Sequence, residues 1–391
     1  MIKRSLFRVI IPTIVGWNII GTASADVTIG FTGPLSGSQA AVGQDQLDGF
    51  LLGVELLGNK LGGQPVKIIK EDDQLKPEVG MQILRKLLER DKVDALIGLG
   101  YSNVVMANLR RLTESGTVAI ATGAGPSPLA GTQCAPNIFS MSFQNDGFGE
   151  AIGKLMADRN YKNVYLLAPN YQAGKDMLAG FKRYYKGAIA AEVYTQVNQT
   201  DYSAEITQLH QARPDAAFIF YTGGMGVNFV KQASQAGVTA KIPIYSTFTV
   251  DGANLPALGK AATGIISGNM WDASLDNPQN VRFVEAFSNK YKRLPSAYAA
   301  AAFDAANVLD VAVRKMGGQL KDKKAFAAAV KAAGSEIASV RGPFRFNRNN
   351  MPIQNYYAFE IVQDGEAVRG KLIATPLPMH EDAYVSACPL K

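Results

Sequence analysis

Along this chain, short runs of β-branched residues alternate with longer stretches whose apolar positions recur every three to four residues. The runs at 27–31, 66–71, 95–98 and 118–121 read as strands, and 42–57, 76–90 and 104–115 carry the helical period. A second series begins near 146. Helical patterns at 147–159, 175–186, 204–212 and 227–236 there alternate with strand patterns at 163–168, 190–194, 216–221 and 242–246. Such alternation implies parallel sheets covered by helices on both faces, so the expected fold is α/β with two doubly wound parallel-sheet lobes.

Helical patterns at 280–292, 296–315 and 322–333 follow, and the chain closes on strand patterns at 341–346, 356–362 and 371–375. Helices and strands left over after two complete units imply that the chain recrosses between lobes. The crossings are expected near Phe143, Trp271–Asp272 and Pro343. This gives one lobe of 26–143 with 272–342, a second of 144–271 with 343–391, and a three-segment hinge.

Residues 1–25 stand outside this pattern. Lys3, Arg4 and Arg8 precede an apolar stretch from Val9 to Ile20, which leads to Ala23-Ser24-Ala25. That is the layout of a cleaved export signal, with the mature chain starting near Asp26. Pro12, Gly16 and Asn18 interrupt the apolar stretch, which disfavours the other reading, an uncleaved anchor. No later run is long and apolar enough to span a bilayer.

The formal charge of +7 falls to about +4 without the signal, and Lys and Arg are mixed with Asp and Glu along the helices. No basic block is present, so nucleic acid is not an expected partner. Cys134 and Cys388 are the only cysteines, and in an exported chain an even pair predicts one disulfide. Closing so long a loop would contribute about 4–5 kcal/mol in the chain-entropy model. His210 and His380 have no ligand-like spacing to either cysteine, so neither a metal nor a cofactor is expected.

Enzyme signatures are incomplete. The glycine clusters at 98–103 and 123–128 lack the third glycine of a dinucleotide fingerprint, and two histidines leave little for acid–base chemistry. What recurs instead is a turn rich in Gly, Ser, Thr and Tyr after six of these eight strands. These are 35–39, 100–103 and 122–125 in the first lobe, then 170–172, 221–224 and 245–248 in the second. In open α/β folds such strand ends hold ligands, and a helix N-terminus there suits an anion.

The segments 27–37, 96–102, 119–124, 164–174 with Tyr171, 231–238 and the tail 342–347 together resemble the periplasmic leucine/isoleucine/valine-binding protein family, the type I receptors of ABC importers. The resemblance covers essentially the mature length. It implies a periplasmic, monomeric receptor that closes two lobes on a small molecule and delivers it to a permease. It also implies that Ser102 and the backbone of Gly123 and Ala124 hold a ligand carboxylate, with Tyr171 facing them from the other lobe. Leu35, Gln39, Tyr101, Tyr221 and Thr222 are the further contacts expected from the turns.

Two departures bear on the ligand. Amino-acid receptors of this kind carry threonine where this chain has Gly125, and an ammonium-pairing glutamate close to where it has Phe248. No acidic residue falls between Asp215 and Asp251. An ammonium without a carboxylate partner is strongly penalised, whereas an aromatic ring favours another ring. Burying a benzene-sized group contributes about 3–5 kcal/mol, and micromolar affinity needs about 8 kcal/mol in all. The expected ligand is therefore an aromatic carboxylic acid of the benzoate or hydroxycinnamate type. The 271–278 stretch resembles the subgroup associated with such acids. A branched-chain amino acid is the alternative, and a sensing protein of the same fold is an alternative of another class.

Overall fold

The computed structural model describes residues 1–2 and 26–391, so the expected signal at 1–25 lies outside the described residues except for its first two. The first unit runs β1 (Val27–Gly33), α1 (Ala40–Leu56), β2 (Lys60–Leu61), β3 (Gln64–Asp72), α2 (Pro77–Arg85), β4 (Ala95–Gly98), α3 (Ser102–Ser115), β5 (Val118–Ala121), the short α4 (Ser127–Ala130) and β6 (Ile138–Ser140). Its sheet has the order β2-β3-β1-β4-β5-β6, parallel except for the β2–β3 pair. β4 and β5 are buried at every residue, which is why they read as unbroken apolar runs.

The second unit comprises α5 (Asp146–Asp158), β7 (Asn163–Pro169), α6 (Gln172–Tyr184), β8 (Ala188–Thr195), α7 (Ser203–Ala212), β9 (Ala216–Phe220), α8 (Gly223–Gln235), β10 (Ile244–Thr247), α9 (Leu255–Leu258) and β11 (Ile266–Asn269). Then come α10 (Pro278–Tyr291), α11 (Ala297–Lys315), α12 (Lys323–Ala333), β12 (Phe344–Phe346), β13 (Pro352–Asp364) and β14 (Ala367–His380). The sheet order is β12-β13-β11-β10-β9-β7-β8, with β14 paired to β13; β7 to β11 are parallel, and β12 to β14 run antiparallel to their partners. The fold is thus α/β with two parallel-sheet lobes. In each sheet the first strand lies between the second and third of its series, so the loops after β1 and β4, and after β7 and β9, flank a crevice.

The helices α11 and α12 pack on the first sheet, their Ala302, Ala305, Val308, Leu309 and Phe326 joining Phe31, Ile97 and Ile120 in one core. α1 crosses α11 closely because both contribute small residues. A Cβ on Gly49 would overlap the Ala299 carbonyl, and one on Gly53 would stand 2.7 Å from Ala306 Cβ. That crossing fixes Tyr298, at the start of α11, near the start of α1.

Three segments pass between the sheets, and one side chain joins them. Arg341 is wholly buried. It donates to Ser142 O at 3.0 Å on the first segment, lies 3.5 Å from Met270 Sδ on the second, and donates to Gln354 Oε1 at 2.9 Å on the third. Its charge is met by Asp304 of α11 at 3.2 Å.

Elsewhere the sequence reading needs adjustment. β6 and β11 have no counterpart in it, and the two last strand patterns are the arms of one long hairpin turning at Gly365, where φ is +60°. The helix expected over 76–90 is α-helical only to Arg85 and continues as a wider turn to Arg90. Cys134 and Cys388 are joined in a disulfide.

Candidate functional site

Tyr101 precedes α3 with extended backbone, so Ser102 opens the helix and the N–H groups of its first turn have no intrahelical acceptor. The turn after β5 lies alongside: Thr122 N–H donates to Gly98 O at 2.7 Å, and a Cβ on Gly123 would be 2.7 Å from Gly100 O. Among the described residues no protein acceptor takes the N–H of Gly123 or Ala124. Gly123 keeps part of its surface accessible while Ala124 and Ser102 are buried. Two free N–H groups, a hydroxyl and a helix N-terminus together make a cradle for a carboxylate.

An aromatic wall faces this region. The Phe248 ring packs at 5.0 Å on Phe143, 4.6 Å on Phe148 and 4.8 Å on Tyr298, measured between centroids. Tyr171 stacks with Phe220 at 6.2 Å and remains partly accessible. Phe248 holds a φ of +57°, a left-handed backbone that costs a bulky residue about 1–3 kcal/mol and is usually kept for a reason of function. Gly125 belongs to the same corner. A Cβ there would fall inside the Phe143 carbonyl oxygen, so the threonine of amino-acid receptors has no room. The two departures read from the sequence therefore meet at Phe143. Burial pushes the phenols of Tyr101, Tyr171 and Tyr298 up; the charges of Asp73 and Asp251 add to the rise at Tyr101, and Tyr101 adds to it at Tyr171 and Tyr298, so all three are neutral donors.

The lobes are tied across the crevice at two places. On one side Tyr101 Oη donates to Gln39 Oε1 at 2.5 Å, and Thr222 Oγ1 donates to the same oxygen at 3.2 Å. Gln39 Nε2 returns a bond to Thr222 O at 3.1 Å. Gly223 follows with φ +51°, and a side chain there would collide with the Gln39 amide. On the other side Asp176 of α6 accepts from Ser127 N–H at 3.0 Å and from Ser127 Oγ at 2.7 Å.

Not every expected residue joins this group. Leu35 packs against the core beneath its own sheet, with its N–H on Asp72; the turn's contact across the crevice is made by Gln39. Tyr221 is a core residue of the second lobe, packed on Tyr202 and Phe229 with its hydroxyl 3.2 Å from Thr195. Tyr245, in the turn at 245–248, bonds Arg159 and Tyr161.

Sequence reasoning did not place Asn145, Phe143, Phe148 or Tyr298 in the site, and it met Asp251 but set it aside as lying too late in the chain. The first three flank the first crossing and could have been found by asking what lines it. Tyr298 lies beyond the second crossing, and nothing local marks it. Asp251 is a buried carboxyl, pushed up to about 8 by desolvation and the nearby charge of Asp45, and one of its oxygens has no partner. Among the described residues no group of three or more His, Cys, Asp or Glu could hold a metal, and no helix is long and apolar enough to cross a membrane.

Comparison with known proteins places the fold in a family. A family model for periplasmic binding proteins matches residues 26–366. The "Leu/Ile/Val-binding protein homolog 6" of Brucella melitensis is 26% identical over 356 residues, 87% of this chain and 89% of the relative. Among solved structures, an ABC-transporter solute-binding protein from R. palustris in complex with benzoate is 30% identical. It covers 94% of this chain and 100% of its own, with a TM-score of 0.88. A solute-binding protein from Rhodopseudomonas palustris BisB5 in complex with 3,4-dihydroxybenzoic acid is 25% identical, covers 92% and 99%, and has a TM-score of 0.85. The family and the fold are those of solute-binding proteins rather than enzymes. The chain belongs to the periplasmic binding protein family, as an ABC-transporter solute-binding protein with the type I fold.

Proposed function

We propose that this protein binds an aromatic carboxylic acid, of the benzoate or hydroxycinnamate type, between lobes 26–143 with 272–342 and 144–271 with 343–391. It acts in the periplasm as a monomer after loss of residues 1–25, and passes the acid to an ABC-importer permease. Ser102, Gly123 and Ala124 take the carboxylate; Phe248 and Tyr171 cover the ring. Tyr101 and Thr222, with Gln39, close the mouth. Ligand capture then follows from lobe closure, the bound acid shifting the population toward the closed form.

The observation that carries this reading is the corner where Gly125, Phe143 and Phe248 meet, which replaces polar groups with rings beside the N–H cradle. The benzoate and dihydroxybenzoate bound by the two solved relatives are of the same class.

A second reading, a branched-chain amino acid, draws on the name of the Brucella relative and on Asp251, three residues past Phe248. At neutral pH that carboxyl is mainly protonated, which makes it a poor partner for an ammonium until one arrives to draw the proton off. Differential scanning fluorimetry against benzoates, cinnamates, leucine, isoleucine and valine separates the two. A shift with the acids alone supports the proposal, and a shift with the aliphatic amino acids alone overturns it.

A further inference from the structure

Asn145 stands immediately before α5, just after the chain leaves the first sheet, and its side chain is buried. Its Oδ1 accepts the Gly125 N–H at 3.1 Å. Its Nδ2 donates to Asp176 Oδ2 at 2.8 Å and to Ser102 Oγ at 3.1 Å. A backbone N–H can only donate, so the Gly125 bond to Oδ1 leaves the amide one orientation, with Nδ2 toward Asp176 and Ser102. Asp176 cannot turn away, because Ser127 N–H, Ser127 Oγ at 2.7 Å and Gln172 Nε2 at 2.8 Å hold it as well.

The consequence falls on Ser102. With an amide N–H aimed at its oxygen, the hydroxyl must direct its own proton elsewhere, and among the described residues it donates to no protein acceptor. The oxygen keeps a second lone pair, but Asn145 turns the hydroxyl so that its proton, which has no protein partner, is free to donate to a ligand. The Gly125 N–H, meanwhile, is taken, so the free donors of the cradle are Ser102, Gly123 and Ala124.

We propose that Asn145, oriented by Asp176, is a positioning residue that fixes Ser102 as a hydrogen-bond donor and so selects an anionic carboxylate over its neutral counterpart. This rests on the acid-binding reading above. It also gives closure a chemical sense, since α6 of the second lobe, through Asp176, helps set the polarity of a cradle built on the first.

The test compares benzoate and 4-hydroxycinnamate with their primary amides, by competition titration on the full mature chain. In the Asn145→Asp variant the new carboxylate accepts the Ser102 proton and faces the ligand with like charge. Acid affinity is expected to fall at least about tenfold while amide affinity changes no more than about threefold. Asn145→Ala, which adds no charge beside Asp176, should show the same order with a smaller gap, and serves if the aspartate variant does not fold. Equal loss for acids and amides in a folded variant would make Asn145 merely structural and overturn the inference while the acid-binding reading stands. Wild-type protein that binds neither acid overturns both.

Discussion

At the scale of single residues the site turns on a backbone held against preference. Phe248 occupies a left-handed conformation and places its ring on Phe143, Phe148 and Tyr298. Asn254 secures the loop by donating to Phe248 O at 3.1 Å and Thr249 O at 3.0 Å. Replacing Phe248 with alanine removes the ring and keeps the loop, so aromatic-acid binding should weaken by about 1–3 kcal/mol. Isothermal titration reads this directly; unchanged affinity would mean that the ring contributes nothing to recognition. Asp251 carries a different signature. Its carboxyl holds a proton up to about pH 8 in the folded protein, whereas the unfolded chain releases it near 4. The folded state therefore binds more protons across that window, and stability falls as pH rises through it. Asp45, Asp73 and Asp146, raised to about 6, contribute the same trend at lower pH. Denaturant melts of Asp251→Asn should be flatter than wild type between pH 6 and 8. The variant should be the more stable at pH 8, by an amount on the order of a few kcal/mol.

Among the elements, what could be read in advance followed burial. β4 and β5 are apolar on both faces and stand out as runs, and α3, α6 and α11 carry a clear 3.6 period. The strands that escaped are those whose sequences do not look β-like: β6 is three residues long, and β11 contains Gly268, kept small by Ile152 packed against it. The six turns were legible because glycine and small polar residues cluster at strand ends, yet their side-chain directions were not. Tyr221 and Thr222 are neighbours, but extended backbone sends the first into the core and the second to Gln39. Tyr298 depends on how α11 lies on α1, a tertiary fact with no local mark. That crossing can be tested. Gly49→Ala adds a methyl where the Ala299 carbonyl already sits, and should cost about 1–3 kcal/mol in chemical denaturation. Because α11 must shift to admit it, Tyr298 moves with it, and ligand affinity should fall in the same variant. A variant as stable as wild type would show that the two helices can separate freely.

For the whole molecule, the sequence also announced the disulfide but not where it acts. The tail leaves β14 in the second sheet and runs back over the first. Asp382 accepts from Asn349 Nδ2 at 2.9 Å, and Tyr384 donates to Asp146 at 2.8 Å while packing on the first lobe's core. Cys388 then bonds Cys134, between α4 and β6. The lobes are thus joined by the three chain crossings gathered on Arg341 and by a fourth, covalent link. Replacing both cysteines with serine should lower unfolding free energy by about 2–5 kcal/mol. A purely local bond would stop there. Loss of a bond between lobes should also widen the ligand-free molecule, because the covalent link is then gone and the three crossings are the chain connections left between them. Small-angle scattering of the double variant without ligand should give a larger radius of gyration than wild type, and addition of a bound acid should bring the two together. If the variant is less stable but no wider, the disulfide holds only the end of the tail, and the three crossings alone set how far the lobes open.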